Sequence, residues 1–277
     1  MGKRLLHNIR HRFHVLKAVA IVTYKEWGAY RTHSMVSIFV GPVYFIVQYF
    51  IWTAVYGSKG QLNGMELNQM LSYFGISTLI GYLTMDFADW NLQMLVRTGR
   101  FTTFMLRPIH HRFFALSQKF GHRVLGLIIE FVPCFIIFQF VFRINIIPEN
   151  VFYSIVSIFL AFLMNFYVNY CIGLTAFWLI QAEGIRNVFQ ALASVFSGMF
   201  FPLVFFPEAV QKLLFFLPFQ YTLYVPSMVT TGHYQLAGIT MSIPKIVGIQ
   251  AIAVMITILL SELIYRRSLR HFTAVGG

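Results

Sequence analysis

Charge is what this sequence has least of. Only 11% of its 277 residues are Asp, Glu, Lys or Arg, against roughly 25% in a soluble domain. A chain so poor in charge cannot cover a globule of this size with a wettable surface. Acids are the scarcer sign, nine against 21 Lys and Arg, which leaves little material for a carboxylate-based metal or acid–base centre. There are two cysteines, Cys134 and Cys171, both inside apolar runs. That excludes a disulfide framework and a thiolate zinc site, and both read as small core residues. No Gly-x-x-x-x-Gly-Lys-Ser/Thr loop is present to cradle phosphates, since the one Gly-Lys pair is Gly2–Lys3. His-Glu-x-x-His and Gly-x-Ser-x-Gly are missing as well. The chain therefore carries no ATPase or catalytic motif of its own, and no cofactor or metal is expected on it. The first apolar cluster, "AVAIV" at 18–22, is followed by Lys25, Glu26 and Trp27. It is too short for the core of a cleavable signal.

What is present is apolar surface. Hydrophobic residues make up 58% and aromatics 18%, with a mean hydropathy of +0.69. The formal charge of +12 would suit nucleic acid in a soluble chain. In one this greasy it reads as positive charge held at a membrane face, beside lipid headgroups, with no nucleic-acid partner. About 20 apolar residues cross a bilayer as a helix. Runs nearly free of charge predict an all-α integral membrane fold of six transmembrane helices, at about 35–56, 67–85, 124–142, 155–180, 187–207 and 246–265. The whole chain, 1–277, reads as a single transmembrane domain preceded by a cytoplasmic tail over 1–34. A further uncharged stretch, 213–244, is interrupted by Pro218, Pro226, Gly232, Gly238 and Pro244. Irregular backbone at membrane depth needs protein or water around it, so 208–225 reads as a re-entrant or interfacial helical pair between spans five and six.

Basic residues set the orientation. Seventeen fall before residue 35, in the connector between spans two and three, or near Arg186 and Arg266–Arg270, and four fall on the other side. Both termini are thereby expected in the cytoplasm. Within the tail, Ile9, Phe13, Leu16, Ala20, Tyr24 and Trp27 recur at spacings of three and four. This describes an amphipathic helix at the inner interface or against a cytoplasmic subunit.

Ionisable residues within spans are costly and mark function by default. Glu130 is the sharpest, with Gln139 beyond it on span three and Asn165 and Asn169 one turn apart on span four. These four either line a translocation path or hold the bundle together by hydrogen bonds across helices. Glu130 has no basic partner within the predicted spans. His110, His111 and His122 read as solvated or headgroup-facing. The second connector, "MLVRTGRFTTFMLRPIHHR" at 94–112, is both basic and half apolar. Phe87, Trp90 and Met94 form one helical stripe and Phe101, Phe104 and Met105 another. Gly99 allows a break between them, and Pro108 ends the second. Docking against another protein would bury those rings, with Arg97 and Arg100 facing its acids.

In the order of these parts the chain resembles the membrane subunits of ABC-type exporters, in their type 2 permease class. The likeness rests on "YKEWGAYRTHSMVSIFVGPVYFIVQYFIWTAVYG" at 24–57, "GRFTTFMLRPI" at 99–109, and "FSGMFFPLVFFPEAVQKLLFFLPFQYTLYVPSMVTTG" at 196–232. The ending "YRRSLRHFTAVGG" at 265–277 is similar to that of the daunorubicin-export-like subgroup. The resemblance implies a bacterial inner-membrane permease paired with a second permease, identical or related. It also implies two cytoplasmic ABC ATPase subunits, which hold the ATP and Mg. The connector would be the ATPase-coupling element, on Trp90, Met94, Arg97, Gly99, Arg100, Phe101, Phe104, Arg107 and Pro108. The re-entrant helices would form an extracellular gate near Pro202, Pro207, Glu208 and Pro218. The expected substrate is hydrophobic or amphipathic: a drug, a lipid or a lipid-linked glycan. Two other readings stay open. A secondary transporter would use Glu130 for ion coupling, and a lipid-modifying membrane enzyme has the His110–His111 pair as its only hint.

Overall fold

Helix dominates because backbone polar groups in hydrocarbon are satisfied only within helices or closed barrels. The computed structural model describes residues 2–29, 31–57, 60–179 and 182–271, with side chains described outside 2–12, 27, 29 and 31–37. In chain order, α1 is Gly2–Ala29 and α2 is Arg31–Tyr56, followed by a small hairpin of β1 Gln61–Leu62 and β2 Met65–Glu66. Helix α3 is Leu67–Thr84, α4 Ala88–Arg97, α5 Arg100–Met105 and α6 His111–Gly126. A π-helical turn over Leu127–Phe131, α7 (Val132–Ile136) and a second π turn over Ile137–Val141 continue α6 without a break. Then come α8 Val151–Gly173 with a 3-10 turn Leu174–Phe177, and α9 Glu183–Phe196. A 3-10 turn Leu203–Phe205 leads to α10 Glu208–Phe216, α11 Phe219–Thr222 and α12 Tyr224–Thr230. A hairpin of β3 Tyr234–Leu236 and β4 Ile239–Met241 precedes α13, Ile243–Arg270. Both hairpins are antiparallel, Gln61 facing Glu66 and Gln235 facing Thr240.

Among the described residues, four stretches are long and apolar enough to cross a bilayer: Ile38–Tyr56, His111–Val141, Val151–Phe177 and Ile243–Arg270. They correspond to the expected first, third, fourth and sixth spans, so the chain is an all-α, multi-pass membrane protein. The third begins at His111, thirteen residues before its predicted start at 124, and takes Lys119 and Arg123 into the helix. The second expected span is α3, with 18 residues and Asn68 and Gln69 near its start. The fifth differs most. Its helix α9 has 14 residues, about 21 Å of rise, and ends in a turn at Gly198. Within the third span, Pro133 has no N–H to continue the ladder. The hydrogen bonds widen beside it, the Val132 N–H reaching the Leu127 carbonyl. Such π turns recur at functional sites, and Glu130 lies in this one.

The main core gathers around α3, where Met70, Tyr73 and Phe74 are fully buried against Phe138, Met164 and Tyr224. A second core under α4 and α5 joins Leu92, Phe101, Phe166, Tyr170 and Leu174. Helix α1 lies along α6, and the backbones touch where Gly121 faces Ala20. Thr23 is buried there, while Phe13 and Tyr24 of the expected stripe remain exposed. The α1 helix is thus partnered, on one face, by its own chain. Of the remaining sequence-based expectations, those on Ile9 and Trp27, on Lys59 and on 272–277 lie outside the described residues.

Candidate functional site

Helix α4 has two faces. Ala88, Asp89, Leu92, Gln93 and Val96 point inward, while Trp90 is 49% and Met94 37% exposed and Arg97 is exposed beside them. Spacings of four and three place those exposed residues on one stripe. At Gly99 the backbone turns left-handed, φ +72°, a conformation that glycine adopts without a Cβ penalty. The turn reverses the second stripe. Phe101 and Phe104 are buried, Phe101 edge-on to Phe177 with centroids 4.9 Å apart and Phe104 edge-on to His111 at 4.7 Å. The Arg107 guanidinium lies 5.3 Å from the Phe104 ring centroid, and Pro108 leads into α6. The expectation that both stripes meet a partner is therefore corrected. Trp90, Met94, Arg97 and Arg100 are outward, but Phe101 and Phe104 complete the chain's own second core.

The inward face of α4 is held by charge. Asp89 is fully buried and its carboxylate accepts from Arg186 Nε at 2.8 Å, from Gln190 Nε2 at 2.9 Å and from the Trp90 N–H at 2.7 Å. Arg186 and Gln190 lie one turn apart on α9. Three residues before Asp89, Asp86 reaches Lys119 Nζ of α6 at 4.0 Å and accepts from Asn169 Nδ2 of α8 at 3.4 Å. Gln190 Nε2 also donates to Asn169 Oδ1 at 3.2 Å, which joins the two halves. Burial raises the Asp86 carboxyl above its ordinary range, and the Lys119 ammonium partly offsets this. The root of α4 meets α8 directly, since a Cβ on Gly173 would sit 3.0 Å from Asp89 Cα. Two acids three positions apart thus fasten α4 to α6, α8 and α9.

The charges continue up α6. Lys119 Nζ donates to the Phe162 carbonyl at 2.8 Å and lies 4.3 Å from that residue's ring centroid. Arg123 donates to the Tyr82 carbonyl and stands 3.6 Å from Glu130. Glu130 therefore has a basic partner after all, about two turns back along its own helix. Counting Lys119 and Arg123 as connector residues missed this. Charges at membrane depth are tolerated when paired, and here each sign supplies the other's solvation.

The four path candidates are not brought together. Asn169 belongs to the clasp, whereas Asn165 donates to the Ala161 and Thr222 carbonyls at 3.3 and 3.4 Å. Glu130 pairs with Arg123, and Gln139 Oε1 is buried without a hydrogen-bond partner among the described residues. His111 is also unlike its expectation, being buried with Nδ1 3.0 Å from the Tyr170 hydroxyl. At the other end of the bundle Pro202 precedes the 3-10 turn, Pro207 caps α10 and Pro218 caps α11. Glu208 pairs with Lys212 at 2.7 Å on the exposed side of α10. Over the expected helical pair at 208–225 lie α10 and α11, and a third short helix, α12, follows from Tyr224 and is buried along its whole length. Among the described residues no group of His, Cys, Asp and Glu is arranged to hold a metal ion.

Sequence reading missed Asp86, Asp89, Lys119, Arg123, Arg186 and Gln190 as a unit. One signal was available: two acids in "MDFADW" at 85–90, at the end of an apolar run in a chain with nine acids in all. Residues 43–276 match the family model described as ABC-2 family transporter protein. No curated protein matches the chain.

Proposed function

The chain belongs to the ABC-2 family of transporter proteins, and we propose that it is the membrane permease of an ATP-driven exporter. Membership in this family implies a transport subunit that partners with ABC ATPases, in place of a catalytic enzyme. In the proposed assembly two ATPase copies bind ATP and Mg and serve two permeases, identical or related. The chain crosses a bacterial inner membrane six times with both termini in the cytoplasm. The two crossings beyond the four long helices belong to α3 and to α9 with the turn after it. Helices α10–α12 form the extracellular re-entrant gate, with Pro202, Pro207, Glu208 and Pro218 setting their ends. The substrate is hydrophobic or amphipathic, a drug, a lipid or a lipid-linked glycan, as in the daunorubicin-export-like subgroup that the ending resembles.

The observation that carries this reading is the clasp at the root of α4. A push on Trp90 and Met94 cannot be absorbed by the connector alone, because Asp86 and Asp89 hold it to α6, α8 and α9. An ATPase that grips the outer stripe would therefore move three helices together, and Glu130, Asn165, Asn169 and Gln139 lie on two of them. Arg123 beside Glu130 gives that acid a partner within its own helix, which weakens the alternative of a secondary transporter.

The outer stripe supplies the test. Changing Trp90 and Met94 together to alanine is expected to lower co-purification of the ATPase subunit at least tenfold, since truncating an aromatic anchor costs about 2 kcal/mol or more and 1.4 kcal/mol is a factor of ten. Changing Phe104 with Gly99 and Arg100 would also lose the complex, but through damage to the second core. Capture of the ATPase at parental levels by the Trp90→Ala/Met94→Ala chain, with its melting unchanged, would refute the coupling assignment.

A further inference from the structure

Between the α5–α6 connector and the last turns of α13 lies a cavity of about 340 Å³, within the roughly 300–1,000 Å³ range of small-molecule sites. Its walls are apolar, chiefly Phe104, Ile109, Tyr265 and Leu269, and its polar lining includes Arg107 and His110. No acid is among the lining residues. We propose that this cavity binds one acidic phospholipid, with an acyl chain between the aromatic walls and the phosphate on Arg107 and His110.

Position, charge and geometry agree on that occupant. The cavity sits where one candidate span begins, at His111, and another ends, at Arg270. A 28-residue helix such as α13 rises about 42 Å, against a hydrocarbon core of about 30 Å. The excess length has to leave the core at one end or both, and the end with Arg267 and Arg270 in its last turn is the one suited to headgroups. The neighbouring charges are unevenly answered. Glu262 pairs with both Arg112 and Arg266, each at 2.5 Å. Arg107, Arg267 and Arg270 have no ion pair among the described residues. The Arg107 guanidinium is held against two rings, 5.3 Å from the Phe104 centroid and 5.7 Å from that of Phe114. That leaves its donors, a planar fork suited to phosphate, at the mouth. An acidic lipid complements these cations and the apolar walls at once, whereas a zwitterionic headgroup brings its own positive charge. A lipid here would touch the connector and α13 together, and so be placed to bias the coupling element.

The test needs only the full chain in mild detergent, without any ATPase, so its failure would leave the exporter reading standing. Native mass spectrometry with added phosphatidylglycerol or phosphatidylcholine is expected to show one phosphatidylglycerol retained at least tenfold more tightly. Arg107→Ala with His110→Ala should abolish that preference. Leu269→Trp, which fills the cavity and leaves every charge, should abolish it too. Arg97→Ala with Arg100→Ala removes two exposed charges elsewhere and should not. Equal loss from both double variants would show diffuse attraction to a basic surface and overturn the site, as would retention by Leu269→Trp. So would an Arg107→Ala/His110→Ala chain that keeps its preference for phosphatidylglycerol.

Discussion

Replacing Asp89 with alanine is expected to cost the folded chain about 3 kcal/mol, the lower end of the range for removing one partner of a buried ion pair. The lower end applies because the Arg186 side chain keeps 23% exposure and can turn partly to water. Gln190 and the Trp90 N–H lose an acceptor in the same change. Asp89→Asn keeps an acceptor oxygen without the charge, and should cost about half as much, since hydrogen bonds to charged groups contribute about 1.5–3 kcal/mol and neutral ones about 1. The decisive measurement is a double-mutant cycle. Asp89→Ala with Arg186→Ala should be less damaging than the two single losses added, by at least 1 kcal/mol, because neither charge is then stranded. Thermal unfolding in lipid nanodiscs reads the stability of each chain. Additive losses would mean that the two residues do not act as a pair, and the clasp would fall with them. In the assembled complex the Asp89→Ala chain should still bind ATPase through Trp90 and Met94 while transport is lost. That split separates holding the motor from being moved by it.

The same clasp shows what one sequence discloses and what it conceals. Helix α4 was legible, because Phe87, Trp90 and Met94 repeat at helical spacing and Gly99 marks its end. The long spans were legible from apolar length alone. The start of the third was not. A search for charge-free runs stops at Lys119 and Arg123, yet both lie inside the helix because Asp86, Glu130 and two backbone carbonyls meet them there. Asp86 and Lys119 are 33 positions apart, and Asp89 and Arg186 are 97 apart, so no local pattern joins them. Phe101 and Phe104 illustrate a second limit. Local apolarity says that a ring wants burial, but not whether its own core or a partner supplies it. Phe177 and His111, brought in from two other helices, settled that. The expected fifth span departs from one continuous helix for a third reason. An uncharged run has length but no sign of where backbone polar groups find partners, and the Tyr73 hydroxyl, which donates to the Gly198 carbonyl at 2.7 Å, supports a turn within it.

Gly121→Val is expected to release α1 from α6. A Cβ at 121 would run into the Ala20 carbonyl and lie 2.8 Å from its Cα, and backbone, unlike the tip of a flexible side chain, has no rotamer to escape into. Overpacking of this kind costs about 1–3 kcal/mol where neighbours can shift. Here the cheapest shift is for α1 to move away as a body, since its described apolar residues Phe13, Ile21, Val22 and Tyr24 are already exposed and hold it to nothing else. Protease protection of the first 29 residues and a disulfide engineered between the two helices near Ala20 and Gly121 would both report the separation. Gly184→Ala is the matching control. Nothing lies within 4 Å of a Cβ there, so the change should be neutral or slightly stabilising, as is usual when a helical glycine gains a methyl group. If Gly121→Val leaves α1 protected, the contact is not what holds the helix. If it releases α1 and also weakens the Asp86–Lys119 pair two residues away, α1 serves as a brace that keeps α6 in register with α4. The position of Lys119, one face of α6 from Gly121 and buried against α8, favours the second outcome.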